Sequence, residues 1–148
     1  MVTPQDCIFC KIIRNEIPSK NIYEDNDNIA FLDINPASPG HVLVVPKKHF
    51  ANMHDIDDAN MQKLSVAVKK VNDIVKNNLN AEATNIFVNN GRLAGQIVDH
   101  VHVHIIPRYK GDGIELHFPR YKTDENYFNE MQQKLTEKKS LAEEWKEY

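Results

Sequence analysis

A chain of 148 residues with 41% hydrophobic and 26% charged residues is one domain of ordinary size, long enough to bury a core. Its formal net charge of −3, with acidic and basic residues interspersed, gives no sign of nucleic-acid binding by bulk electrostatics. No apolar run approaches the ~20 residues of a membrane span, and residues 1–6 lack the basic and apolar parts of a signal peptide, so the expected location is the cytoplasm.

Residues 7–18 read as a short helix or turn that ends by Ile17, because Pro18 disfavours helical geometry before it. Ile22-Tyr23-Glu24 is a short strand, and Asp25-Asn26-Asp27-Asn28 has turn chemistry. Residues 29–34 read as a buried strand with Asp33 near its end, and residues 35–40 as a loop. Residues 41–46 form another strand, stopped by Pro46. Asp55, Asp57 and Asp58 are candidate caps for the longest helix. Met61, Leu64, Val68, Val71 and Val75 recur at spacings of three and four, an apolar stripe that packs a core, and the helix should fray by Asn77-Asn78. Residues 84–89 are a strand, and Asn90 to Gln96 a Gly-containing loop. After the strand that follows, Gly111-Asp112-Gly113 is a turn, Asp124 caps a helix to about Lys139, and Trp145 and Tyr148 lie in a charged tail. The order predicts an α+β fold, a mainly antiparallel sheet with the long helix on one face. Residues 1–110 hold the core domain, and residues 111–148 are an extension or tail of it.

The strand after that loop, His100-Val101-His102-Val103-His104-Ile105-Ile106-Pro107, carries the chemistry. A strand repeats every two residues, so the three imidazoles project from one face and span roughly 13 Å, while Val101, Val103 and Ile105 point into the core. The alternative is a strand that merely carries surface histidines. A neutral, oriented imidazole is a competent nucleophile toward phosphorus, and attack splits one displacement into two easier ones. His102, flanked on both sides, is the natural nucleophile, and His104 its phosphate-side partner. His41, at a strand start, supplies a fourth imidazole across the sheet or is a surface residue. Asn89 and Gln96 offer neutral amide donors to phosphate beside Gly91 and Gly95, unless the loop is only a turn. Asp33 either accepts two hydrogen bonds from a ribose diol or caps its loop. His54 and His117 read as surface or loop residues.

Cys7 and Cys10 are spaced C-x-x-C, which in a reducing compartment suggests a metal or redox pair more than a structural disulfide. Two thiolates and two histidines complete a tetrahedral zinc site, with His49 one candidate. Such a site has no open position and is structural. The alternative is two buried thiols.

The motif His-φ-His-φ-His-φ-φ over residues 100–106 resembles that of the histidine-triad (HIT) superfamily, in its bacterial type with a C-x-x-C zinc site. The likeness extends through Asn89, Gly95-Gln96, residues 40–49, Phe31-Leu32-Asp33-Ile34 and the Cys7–Pro18 opening, about residues 7–110 in all. It implies hydrolysis or transfer of nucleotidyl groups by attack at the α-phosphorus of nucleoside 5′-phosphoramidates or related conjugates. His102 is then the residue that becomes a nucleotidyl-histidine, with His104 and His41 in the surrounding network. Asn89 and Gln96 match phosphate-contacting positions, Asp33 the ribose-binding acid, and Ile34 the nucleoside pocket of a purine nucleotide. Zinc maps to Cys7, Cys10, His49 and His100, with no organic cofactor. The implied assembly is a homodimer whose two five-stranded sheets join into one of ten strands, without nucleic-acid or membrane partners. Some segments resemble the phosphoramidase branch and others the dinucleoside polyphosphate hydrolase branch, which leaves the second activity as an alternative. A nucleotide-binding interaction protein with incidental hydrolysis is another. Ile97 stands where eukaryotic branches often carry Ser or Thr, so that hydroxyl's contact to phosphate is missing or supplied otherwise.

Overall fold

The alternation read from the sequence becomes a five-stranded sheet with a different helix on each face. A computed structural model describes residues 3–137. The elements are α1 (Ile8–Ile13), β1 (Asn21–Glu24), β2 (Asn28–Leu32), β3 (Val42–Pro46), α2 (Asp58–Leu79), β4 (Ala83–Phe87), a 3₁₀ turn (Arg92–Ala94), β5 (Val103–Arg108) and α3 (Glu125–Thr136). The strand order is β1-β2-β3-β5-β4, and all four neighbouring pairs are antiparallel. The chain divides into two compact units, Met1–Ile114 and Glu115–Tyr148.

On one face of the sheet, Ala30, Val42, Val44, Val103 and Ile105 pack with Leu64, Ala67, Val71 and Val75 of α2. Each Val, Leu or Ile side chain among them contributes about 1.5–3 kcal/mol by leaving water. On the other, Ile29, Phe31, Leu43 and Val45 pack with Cys7, Phe9, Cys10 and Ile12 of α1 and its start. β3 is therefore buried on both faces, which explains its unbroken apolar run. The short N-terminal helix, not only the long one, is a layer of the fold.

Asp57 is the cap of α2, its carboxylate accepting from the Asn60 amide, a bond worth about 1 kcal/mol. The helix does not fray at Asn77-Asn78 but runs to Leu79 and ends where Asn80 turns left-handed, with φ 52°. The apolar stripe carried to Val75 holds the last turns in place. α1 stops earlier than Ile17, at Ile13, because Asn15 is left-handed with φ 59°. The paired part of the histidine segment is also shorter than expected. β5 begins at Val103, so His100 and His102 lie ahead of the ladder, and Pro107 sits within β5, opposite Thr84. The in–out alternation nevertheless starts earlier, since Val101 is buried in the α2-side core and its amide bonds the Phe50 carbonyl at 2.7 Å.

In the second unit, the Asp124 carboxylate caps α3 by accepting from the Tyr127 amide. α3 ends at Thr136, ahead of the expected end near Lys139, because Glu137 turns extended with φ −60° and ψ 122°; Trp145 and Tyr148 lie outside the described residues. No helix among the described residues is long and apolar enough to cross a membrane.

Candidate functional site

The segment leading into β5, and β5 itself, carry the imidazoles on the side of α1. His100 and His102 are buried and His104 half-buried. The antiparallel register of β3 and β5 sets Leu43 beside His104, and His41, just before β3, meets the same histidine with Nε2 2.9 Å from His104 Nδ1. Phe9 of α1 stands edge-on to two of the rings, 5.9 Å from His100 and 5.2 Å from His102 between centroids. Phe87 of β4 stacks on His104 at 4.8 Å.

Hydrogen bonds fix which nitrogen of each ring carries a proton, because a carbonyl only accepts and an amide only donates. His102 Nδ1 lies 2.7 Å from the His100 carbonyl and must donate to it. The neutral ring then keeps its lone pair on Nε2, which bonds no described residue. His100 Nε2 likewise donates to the Pro46 carbonyl at 2.8 Å, which leaves Nδ1 as an acceptor. Burial pushes the His102 pKa down, opposed by its bond to His100 and by Asp33, so the ring stays neutral and nucleophilic.

Burial, reinforced by His102 and His41, pushes the His104 pKa from 6.5 to about 4, with Asp33 opposing. The folded state thus resists a proton that the unfolded chain accepts near its ordinary value. The stability from this group is present above about 6.5 and lost as pH falls toward about 4. The melting temperature of the wild type minus that of His104→Gln should therefore decline between those two values. A difference that stays constant would contradict a neutral, buried His104.

Four side chains from three places in the chain converge beside this row. The Cys7 and Cys10 sulfurs and the Nδ1 atoms of His49 and His100 all lie within 4.8 Å of one another. Cys7 Sγ is 3.4 Å and Cys10 Sγ 3.5 Å from His100 Nδ1, Cys10 Sγ is 3.4 Å from His49 Nδ1, and the two Nδ1 atoms are 3.2 Å apart. The edges of a tetrahedron around zinc, with bonds of about 2.0 Å to nitrogen and 2.3 Å to sulfur, run about 3.3–3.8 Å. The donor set and spacing therefore fit a tetrahedral metal ion. The Pro46 carbonyl supplies the outer hydrogen bond that turns His100 Nδ1 toward it. Burial, and then neighbouring Cys7, push the Cys10 thiol up to about 11, so two thiolates here need a cation between them.

Asp33 Oδ1 accepts from the Asn35 amide at 2.8 Å, and its Oδ2 lies 3.6 Å from His41 Nε2. Ile34 is 87% exposed next to it. Gln96 is buried: its amide nitrogen donates to the Ala51 and Val98 carbonyls, and its oxygen accepts from the Gly91 amide at 2.8 Å. Its geometry is that of a clamp on the Asn90–Gln96 loop. Asn89 reaches the Gly95 carbonyl at 3.4 Å, and Ile97 is exposed. His54 and His117 are exposed. Sequence reasoning missed Phe9, whose signal was an aromatic inside the C-x-x-C spacing. It also missed the Pro46 carbonyl, for which no sequence signal exists.

Comparison with known proteins gives the family and the fold. The family pattern described as the HIT domain matches residues 14–111. An adenosine 5′-monophosphoramidase of Candida albicans is 39% identical over 142 residues, covering 93% of each chain. The crystal structure of a member of the HIT family from Bacillus subtilis superposes with a TM-score of 0.84 at 36% identity, over 91% of this chain and 98% of that one. A zinc-bound histidine triad family protein from Mycobacterium smegmatis superposes with a TM-score of 0.72 at 31% identity, over 90% and 95%.

Proposed function

Because the chain belongs to the HIT domain family, we propose that it is a nucleotide hydrolase or transferase acting at the α-phosphorus of nucleoside 5′-phosphoramidates or related nucleotidyl conjugates. One observation carries this reading: the His100 carbonyl holds the His102 Nδ1 proton and frees Nε2 to attack. The His102 Nε2–phosphorus bond forms as the P–N bond breaks, and the amine leaves with a proton drawn from the imidazole network. Water then attacks the nucleotidyl-histidine: the P–O bond forms as the P–Nε2 bond breaks, the water's proton replaces the one the network gave up, and the nucleoside monophosphate leaves. The relative named for adenosine 5′-monophosphoramidase activity supports the P–N substrate class.

In this reading His104 and His41 serve the phosphate, Asp33 and Ile34 hold a purine nucleoside, and Asn89 and Gln96 bind the substrate on its phosphate side. Cys7, Cys10, His49 and His100 hold one zinc ion. Such an ion supplies a cross-link and no Lewis acid, since all four positions are taken. Residues 1–110 are the HIT domain and residues 111–148 its extension. β4 ends the sheet with Ile86 exposed, and an apolar groove lined by Met61, Val68, Ile86 and Phe87 runs beside it, which suits a second copy and a continuous ten-stranded sheet. The two reduced, buried cysteines suit the cytoplasm.

The test is steady-state turnover of an adenosine phosphoramidate beside a diadenosine polyphosphate. A higher kcat/KM for the phosphoramidate is expected. Preference for the polyphosphate would reassign the leaving group, and tight nucleotide binding without turnover would remove the enzymatic reading.

A further inference from the structure

Ser38 lies in the loop between β2 and β3, between Ile34 and His41, and it is buried. Its hydroxyl donates to the Pro107 carbonyl of β5 at 2.6 Å. The β3–β5 ladder runs only from Val44–Val103 to Val42–Ile105, so this bond extends the tie between the two strands beyond their last pair. Ser38 also opens a tight turn. Pro39 follows it, Gly40 takes φ 85°, and the His41 amide returns to the Ser38 carbonyl at 3.1 Å. The loop is thereby fixed on both sides, and its Ala37 amide sits 3.1 Å from His41 Nδ1, donating to it.

That contact sets the protons of two rings. His41 Nδ1 accepts, so the neutral ring carries its proton on Nε2. Of the two acceptors near that proton, His104 Nδ1 at 2.9 Å is within hydrogen-bond range and Asp33 Oδ2 at 3.6 Å is not. His104 Nδ1 therefore accepts, and its own proton is on Nε2. This last atom is buried and bonds no described residue. The chain of donors starts at a backbone amide and ends in one buried N–H that lacks a partner. Such a group is costly unless a ligand supplies the acceptor. The Asp33, His41 and His104 ligand atoms also lie close enough for a metal ion, but the Ala37 amide and the His41–His104 bond already account for both rings.

We propose that Ser38 is a positioning residue: its hydroxyl holds the Ala37 amide on His41 and so fixes the His104 tautomer that donates from Nε2 to a phosphoryl oxygen of the substrate. The identity of that acceptor rests on the nucleotide chemistry proposed above; the tautomers do not.

The experiment is ¹⁵N–¹H NMR of the histidine rings in the full chain, read beside kcat. The wild type should show protonated Nε2 and bare Nδ1 at both His41 and His104. Ser38→Ala should show mixed tautomers at His41 and His104, with kcat lowered about tenfold, and Ser38→Thr should restore both. Unmixed tautomers in a folded Ser38→Ala, or wild-type kcat beside mixed ones, would overturn the proposal. So would a protonated Nδ1 at His41 or His104 in the wild type, a result that does not depend on any variant folding. A wild type with the expected tautomers but no turnover of any nucleotide would instead remove the nucleotide reading and leave the lock in place.

Discussion

Replacing His102 by Asn is expected to lower kcat by a factor on the order of 10⁴–10⁶, the range seen when one member of a catalytic triad is lost. The physical case is narrow. The Asn amide can still donate to the His100 carbonyl that His102 Nδ1 now reaches at 2.7 Å. What it cannot supply is the lone pair of Nε2. The proposed binding groups, Asp33 and the Asn90–Gln96 loop, are untouched, so KM should move far less than kcat. Some stability is lost with the edge-on contact to Phe9. Circular dichroism and a thermal melt establish that the variant is folded, and steady-state kinetics read the loss. A folded variant with kcat within tenfold of the wild type would remove His102 as nucleophile.

The second large effect is on stability. Cys7 and Cys10 tie α1 to His49, after β3, and to His100, before β5. A metal ion there closes loops of the same order as a long disulfide loop, worth about 2–5 kcal/mol. At about 3 kcal/mol, chelation or Cys10→Ser should lower Tm by roughly 10 °C. The fold should not collapse at room temperature, because the α2-side core, with Leu64, Val71 and Ile105 fully buried, is independent of the metal. Elemental analysis should find one zinc per chain in the wild type and less in Cys10→Ser. The first consequence for chemistry is positional, since the carbonyl that orients His102 belongs to His100, one of the four candidate ligands. Metal-free protein that melts at the wild-type temperature would contradict this account.

Much of this was legible in the residues. Alternation placed Val101, Val103 and Ile105 in the core with the histidines opposite, and the stripe from Met61 to Val75 placed α2. Both are periodic signals, and periodicity survives because burial enforces it. What periodicity cannot supply is the partner of each polar atom. The Phe50 carbonyl on the Val101 amide, the Pro46 carbonyl on His100, and the Ala51 carbonyl in the Gln96 clamp are all backbone groups contributed by distant segments. The helix end at Leu79 was misjudged for a related reason. Asn77 and Asn78 are weak helix formers, but the tertiary packing of the preceding turns outweighs their propensity. The layer formed by α1 escaped notice because six residues are too few to display a period.

The central claim is that a bond forms between phosphorus and His102 Nε2. We would mix the protein with an adenosine phosphoramidate, quench within milliseconds, weigh the intact chain, and map any adduct by peptide. The account predicts added mass of one adenylyl group, confined to the peptide containing His102 and absent from His102→Asn. Rapid hydrolysis with no adduct at any quench time, or an adduct on another residue, would contradict it.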